Sequence, residues 1–222
     1  MSLLRKYPGV YLLDDSLATK NLIPGKAVYG ERLEVEAGVE YRLWNPRRSK
    51  LAAALIKGLR EWPIKRDSRI LYLGAASGTT ASHLSDIASR GMVYCVEFSP
   101  RVFLKLLYLC EQRENMVPLL CDAAKPESYQ FYLEKCDLVY QDLAQPRQAE
   151  ILAENARYFL KTRGYAMMAV KARSIDASLP SRKIYSLEAK KLRKRGFRIL
   201  ELLDLSPYEK DHALILAQKL GY

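Results

Sequence analysis

The stretch ILYLGAASGTTASH, residues 70–83, decides the fold. Ile70 to Leu73 reads as a buried strand that stops at Gly74, and the chain resumes after Gly78 as a helix. Glycine carries no side chain and accepts positive φ, so a Gly-x-x-x-Gly turn lets backbone come close to a ligand. Thr79 and Thr80 add hydroxyls where the first helical turn leaves N–H groups unpaired. A second apolar run, Met92 to Val96, ends in Glu97, 23 positions after Gly74. An acidic residue about 20 positions on holds ribose hydroxyls in nucleotide-binding α/β sheets. The turn G-A-A-S-G lacks the middle glycine of the dinucleotide fingerprint. That argues against a pyrophosphate ligand, and so against an NAD-dependent oxidoreductase. It favours S-adenosyl-L-methionine, which has ribose and adenine but no phosphate.

Outward from this stretch the alternation recurs. Strand 70–73 and helix 79–88 are followed by strand 92–97, helix 100–113, strand 116–120 and a short helix near 127–134. Strand 137–141, helix 146–160 and strand 164–171 come next. Repeated βα units predict a parallel sheet covered on both faces. The ending differs: helix 181–195, strand 197–203, then strand 212–218 after too few residues for a helical crossover, so the last two strands pair antiparallel. The expected fold class is α/β, a Rossmann-like methyltransferase fold with a mostly parallel seven-stranded sheet and an antiparallel last strand. Upstream, VYLL at 10–13, RLEVE at 32–36 and VEYRLW at 39–44 alternate between turn residues and predict a small antiparallel β unit. A helix capped by Ser49 and running to about Arg60 follows. The expected domains are 1–48, the small β domain, and 49–222, the methyltransferase domain.

The 222 residues suffice for one α/β domain plus a small unit. No run approaches the ~20 apolar residues of a membrane span, and residues 1–11 lack the apolar segment of a signal peptide, so an intracellular protein with no membrane partner is expected. Cys95, Cys110, Cys121 and Cys136 form no C-x-x-C pair and read as buried thiols. With His83 and His212 the only histidines, no metal site is expected. The net charge is +11, concentrated in two places. Arg42–Arg69 holds nine basic and two acidic residues, and Arg182–Arg198 eight against one. Two such clusters suit a phosphate backbone.

In an open α/β sheet the ligand sits beyond the carboxyl ends of the strands. The candidates there are Gly74 with Ala75, Glu97 with Phe98, Asp122 with Ala123, Asp142 with Leu143, Ala144 and Gln145, and Lys171. Glu97 suits ribose hydroxyls, Phe98 an adenine face and Asp122 its exocyclic amine. The competing reading is that Asp122 and Asp142 cap turns.

The segments WNPRRSKLAAA (44–54), ILYLGAASGTTASHLSDI (70–87), VEFSPR (96–101), DLAQP (142–146), VKARSID (170–176) and SPYEKDHA (206–213) together resemble fibrillarin over nearly the whole chain. DLAQP departs mildly, carrying Leu143 where the family usually has valine. The chain opens with MSLLRKYPGV, without the glycine- and arginine-rich arm of eukaryotic fibrillarins, so the resemblance is to the archaeal form and implies a cytoplasmic location. It implies an S-adenosylmethionine-dependent RNA ribose 2′-O-methyltransferase, the catalytic subunit of the box C/D guide ribonucleoprotein. By motif, cofactor contacts fall on Thr79, Thr80, Glu97, Phe98, Asp122, Ala123 and the loop Asp142 to Gln145. The family's catalytic Lys-Asp-Lys-His set matches Lys50, Asp142, Lys171 and His212. A sulfonium methyl is already activated, so alignment carries much of the catalysis, while the sugar hydroxyl must lose its proton. Lys171 is the candidate base, and an ammonium beside Asp142 would instead make its role electrostatic. Asp142 would orient Lys171 or the hydroxyl; Lys50 and His212 would position substrate.

The resemblance further implies a guide RNA, its rRNA or tRNA target, a Nop-type scaffold protein and a kink-turn-binding ribosomal-type protein as partners. Two alternatives stand beside it: a methyltransferase on a protein amide acceptor, and a non-catalytic RNA-binding subunit. The four matched residues disfavour the second. DLAQ is not the Asn/Asp-Pro-Pro-aromatic loop expected of an adenine N-methyltransferase.

Overall fold

The computed structural model describes residues 3–221. The first sheet is antiparallel: β1 (Leu3–Tyr7), β2 (Val10–Leu13), β3 (Ser16–Lys20), β4 (Leu33–Glu36) and β5 (Val39–Leu43), in the order β1-β2-β3-β5-β4. Asp14-Asp15 and Ala37-Gly38 close two of its hairpins with positive φ at every turn residue, the twist that joins paired strands without splaying them. The three strands expected here are present, and β1 and β3 join them. β3 hid from the alternation rule because Leu17, Ala18 and Thr19 are all buried. Helix α1 (Lys50–Ile56) begins at the expected cap, where Ser49 Oγ accepts from the Ala52 N–H at 3.3 Å. It stops at Ile56 rather than near Arg60. Gly58 turns the chain at φ +89, and the Gly58 and Leu59 amides bond the Leu55 and Ala54 carbonyls, a glycine-terminated helix end.

The second sheet holds β6 (Arg69–Leu73), β7 (Met92–Glu97), β8 (Met116–Leu120), β9 (Cys136–Gln141), β10 (Leu160–Lys171), β11 (Phe197–Asp204) and β12 (His212–Lys219), in the order β11-β12-β10-β9-β6-β7-β8. β12 runs antiparallel to both neighbours and the other pairings are parallel, as expected. Helices α2 (Thr79–Ile87), α3 (Pro100–Cys110), α4 (Gln148–Phe159), α5 (Ala172–Ile175) and α6 (Ser181–Lys194) and a 3-10 segment at Pro126–Tyr132 connect the strands. The one-turn α5 was not expected. Ile70 and Tyr72 enter one apolar core and Leu71 and Leu73 the other, so the unbroken apolar run marks a strand buried on both faces. The chain places β7 and β8 on one side of β6, then crosses to β9 and β10 on the other. The carboxyl ends of β6 and β9 therefore flank the switch point at which such sheets bind ligands.

Helix α2 joins the two sheets. Eight of its nine residues are buried, among them Ser82, His83, Ser85 and Asp86. Asp86 accepts from Thr19 Oγ1 (2.7 Å), Arg42 Nε (2.9 Å), Arg113 (2.8 Å) and the Leu22 amide (3.2 Å). His83 bonds the hydroxyls of Thr19 and Tyr29 at 2.8 and 2.9 Å and stacks on Trp44. Burial, with the nearby Arg42 and Arg113 cations, holds its pKa well below the ordinary histidine value. Arg42, counted by sequence in the first basic cluster, is wholly buried and bonded to Asp86, Glu31 and Ser82. It adds nothing to the basic surface, which rests on the cluster's other members. Cys95, Cys110 and Cys136 are buried and Cys121 half-buried, all as free thiols. Among the described residues no group of three His, Cys, Asp or Glu is arranged to hold a metal, and no helix is long and apolar enough to cross a membrane.

Candidate active site

The glycine turn leaves β6 at the switch point. Gly74 has φ +80, and a Cβ on it would stand 2.8 Å from Leu143 Cδ2 and 2.9 Å from the Asp142 carbonyl. Only bare backbone lets the ends of β6 and β9 meet this closely, with the Asp142 N–H donating to Leu73 O at 2.9 Å. Most of the turn's donors are engaged. Gly74 and Ala75 donate to Val96 O, Gly78 to Ala75 O, and Ala76 to Glu97 Oε2 at 3.0 Å. A pyrophosphate draws on such donors and would find few here, whereas a phosphate-free nucleoside does not depend on them. Buried Glu97 also accepts from the Ser99 amide at 2.8 Å, yet each carboxylate oxygen keeps a second lone pair for a hydroxyl.

Gly74, Glu97, Phe98, Asp122, Leu143 and Gln145 border a recess of about 30 Å³, and Ala123 also lines it. Phe98 is 67% exposed at its side. Asp122 Oδ1 caps its own turn by accepting from the Ala124 amide at 2.9 Å, in line with the competing reading. Ala144 is exposed beside the recess and Ala75 buried behind the turn. Neither threonine lines it. Thr79 opens α2, and the buried Thr80 donates its hydroxyl to Ser49 Oγ at 2.9 Å, tying α2 to the cap of α1.

Of the other candidates, Lys50 and Lys171 converge on Asp142. Lys50, the first residue of α1, approaches Oδ2 at 3.3 Å. Lys171, ending β10, lies 2.8 Å from Oδ1 and donates to the Asp142 carbonyl at 3.0 Å. Two ammonium groups thus flank one carboxylate, leaving a net positive charge at the strand ends. His212 stands opposite Lys171 in the β10–β12 register, so both side chains leave the same face. Its Nδ1 donates to Lys210 O at 2.7 Å, which leaves Nε2 as the free nitrogen.

Sequence reasoning missed three supports. Buried Gln148 clamps Lys171 from both sides, its Oε1 accepting from the Lys171 amide (3.1 Å) and its Nε2 donating to the Lys171 carbonyl (3.3 Å). Tyr72 and Tyr140 pack edge to face beneath Asp142, ring centroids 4.7 Å apart. Burial, reinforced by the Asp142 charge, pushes both phenols far up and keeps them neutral. A lone glutamine and two tyrosines inside apolar strands carry no periodic signal that would single them out.

The model of the fibrillarin family matches residues 2–220. The chain is 53% identical over 211 residues to the fibrillarin-like rRNA/tRNA 2′-O-methyltransferase of Methanothermobacter thermautotrophicus, covering 95% of this chain and 94% of that one. Among solved structures, Aeropyrum pernix fibrillarin with natively bound S-adenosyl-L-methionine superposes with a TM-score of 0.91 at 51% identity over 98% of each chain. A chain of a fibrillarin/Nop5p complex does so with a TM-score of 0.89 at 47% identity, over 96% of this chain and 98% of that one. A family match over residues 2–220 and a relative 53% identical over 95% of the chain show that the chain belongs to the fibrillarin family.

Proposed function

We propose that the chain is an S-adenosylmethionine-dependent ribose 2′-O-methyltransferase of rRNA and tRNA, working in a guide ribonucleoprotein with a Nop-type scaffold and a kink-turn-binding protein. The observation that carries the reading is the Asp142 carboxylate held between Lys50 and Lys171 beside the bare Gly74 backbone. The names of the relatives support the activity, the bound cofactor and the scaffold. The free thiols suit a reducing compartment, and we place the protein in the cytoplasm.

The residues present fit the cofactor. Gly74 and Leu143 line the recess, Glu97 has lone pairs for ribose hydroxyls, Phe98 has an exposed ring for the adenine, and Asp122, Ala123 and Gln145 complete the lining. S-adenosylmethionine, when bound, supplies a methyl group already activated on a sulfonium sulfur. Asp142 then orients the sugar hydroxyl. Lys171, as an ammonium, has three donors; one bonds the Asp142 carbonyl, while Asp142 Oδ1 is an ion-pair partner at 2.8 Å, so donors are left for the 2′-oxygen. We therefore assign Lys171 an electrostatic role, with Lys50 assisting, in stabilising the negative charge that grows on that oxygen. His212 presents Nε2 to the same face.

The test is reconstitution with a guide RNA, both protein partners and labelled S-adenosylmethionine, followed by mapping of the modified ribose. Asp142→Asn and Lys171→Met should each lower transfer by about 10²–10³-fold, while calorimetry finds donor uptake by the Lys171 variant within a few-fold of wild type. Unchanged transfer in both variants would favour a non-catalytic subunit, and label on protein amides alone would favour the protein acceptor.

A further inference from the structure

Strand β10 outruns its parallel neighbour. The last pair in the β9–β10 ladder is Gln141 with Met168, three residues before Lys171, so no β9 backbone is paired with the residue that carries the ammonium. On its other side β10 pairs with β12 as far as Lys171 opposite His212. The bond that closes this ladder runs from the Ala172 amide to Asp211 O at 3.1 Å, while the N–H and C=O of Lys171 itself both go to Gln148. Lys171 and His212 are therefore a non-hydrogen-bonded pair, the kind in which opposed side chains stand closer. Without Gln148 the last residue of β10 would keep an unpaired donor and an unpaired acceptor, and strand ends in that state cost stability and open locally.

A glutamine amide carries the groups of a peptide unit, a carbonyl acceptor and N–H donors, and Gln148 meets Lys171 as a neighbouring strand would. Lys171 offers one donor and one acceptor, so its two bonds, at 3.1 and 3.3 Å, fix which way the amide points. Gln148 opens α4 and is wholly buried. Its own carbonyl accepts from Gln141 Nε2 at 2.8 Å. Gln141 adjoins Asp142, whose carbonyl accepts from Lys171 Nζ at 3.0 Å, so the four residues close a ring of bonds. A lysine stem is flexible, and a cation stabilises charge growing on an oxygen only if it already stands in place. We propose that Gln148 is a positioning residue for methyl transfer: standing in for a strand, it fixes the backbone of Lys171 and with it the place of the ammonium and its separation from His212. The proposal rests on the ribose methyltransferase reading and adds a residue that acts only through Lys171.

The test uses the reconstituted particle with guide RNA, target RNA and labelled S-adenosylmethionine, at a temperature where circular dichroism shows every variant folded. Gln148→Met fills the space but makes neither bond. It should slow single-turnover transfer about 10–10²-fold, the loss that follows a misplacement of about 1 Å, while donor affinity by calorimetry and target affinity by filter binding each stay within about twofold. Gln148→Asn, one methylene too short to keep both bonds, takes its place if the methionine variant does not fold. In either variant the Lys171 amide should exchange with solvent faster by NMR. In a Lys171→Met background the same Gln148 substitution should cost less than about twofold more, because no ammonium is left to misplace. Ile64→Ala, a cavity in the buried core ahead of the start of β6, should transfer within about twofold of wild type despite lower stability. An unchanged rate, an unchanged Lys171 amide, a loss confined to donor or target affinity, the full loss repeated without Lys171, or an equal loss in Ile64→Ala would overturn the proposal and leave the methyltransferase reading standing. A wild-type particle that methylates no ribose would sink that reading, and the proposal with it.

Discussion

Replacing Asp86 by alanine tests the joint between the two sheets. Asp86 is the carboxylate shared by Arg42 and Arg113, at 2.9 and 2.8 Å, and all three side chains are at most 1% exposed. Arg42 would keep Glu31, but Arg113 would lose the one carboxylate that pairs with it among the described residues and remain a buried, uncompensated cation. Breaking a buried pair from one side costs ~3–5 kcal/mol, a large part of the ~5–15 kcal/mol that holds a typical domain together. Denaturant unfolding by circular dichroism should report that loss as a lower midpoint. Asp86→Ala combined with Arg113→Met should recover part of it, because the stranded charge leaves with its partner. A loss below ~1 kcal/mol, or a double variant no more stable than Asp86→Ala, would refute the view that this carboxylate holds the seam.

Asp142→Asn should lower methyl transfer in the reconstituted particle by about 10²–10³-fold, as expected when a group preorganised for the transition state is removed; single-turnover rates check it. Gly74→Ala places a Cβ against Leu143 and the Asp142 carbonyl at φ +80. It should cost ~1–2 kcal/mol in backbone strain alone and weaken donor uptake measured by calorimetry, and wild-type affinity with wild-type stability would contradict it. His83 supplies a pH prediction. Its folded pKa lies well below the usual 6.5, so below about pH 6.5 the unfolded chain binds the proton and the native state does not. Its contribution is complete above that value and falls on acidification by up to ~1.4 kcal/mol per pH unit until the folded pKa is reached. His83→Gln, though less stable at pH 7, should show a flatter decline of the denaturation midpoint between pH 6.5 and 5 than wild type.

What the sequence disclosed is local. The apolar run of β6, the restart after Gly78 and the acids at the ends of β7 and β9 each follow from a few neighbouring residues, and they located the switch point with Asp142 and Lys171, whereas Lys50 entered only through the resemblance to fibrillarin. Gly58 sits in plain view, but the apolar spacing continues through Leu59 and so reads as helix interior; the capping bonds that end α1 show only in the folded chain. Thr19, Arg42, His83 and Asp86 meet across 44 to 67 positions. Nothing in the spacing of one polar residue announces such a partner. The same blindness counts Arg42 as surface charge and leaves Gln148 unremarked.

Because α2 has almost no wet side, it works as a keel wedged between two hulls. Its leading end carries the glycine turn, and its flank is bolted to the small sheet through Asp86 and His83. A displacement of that sheet is therefore transmitted along a stiff rod to the edge of the cofactor recess rather than absorbed by a hinge. Whatever grips the outer sheet in the assembled particle acquires mechanical leverage over the methyl donor's berth.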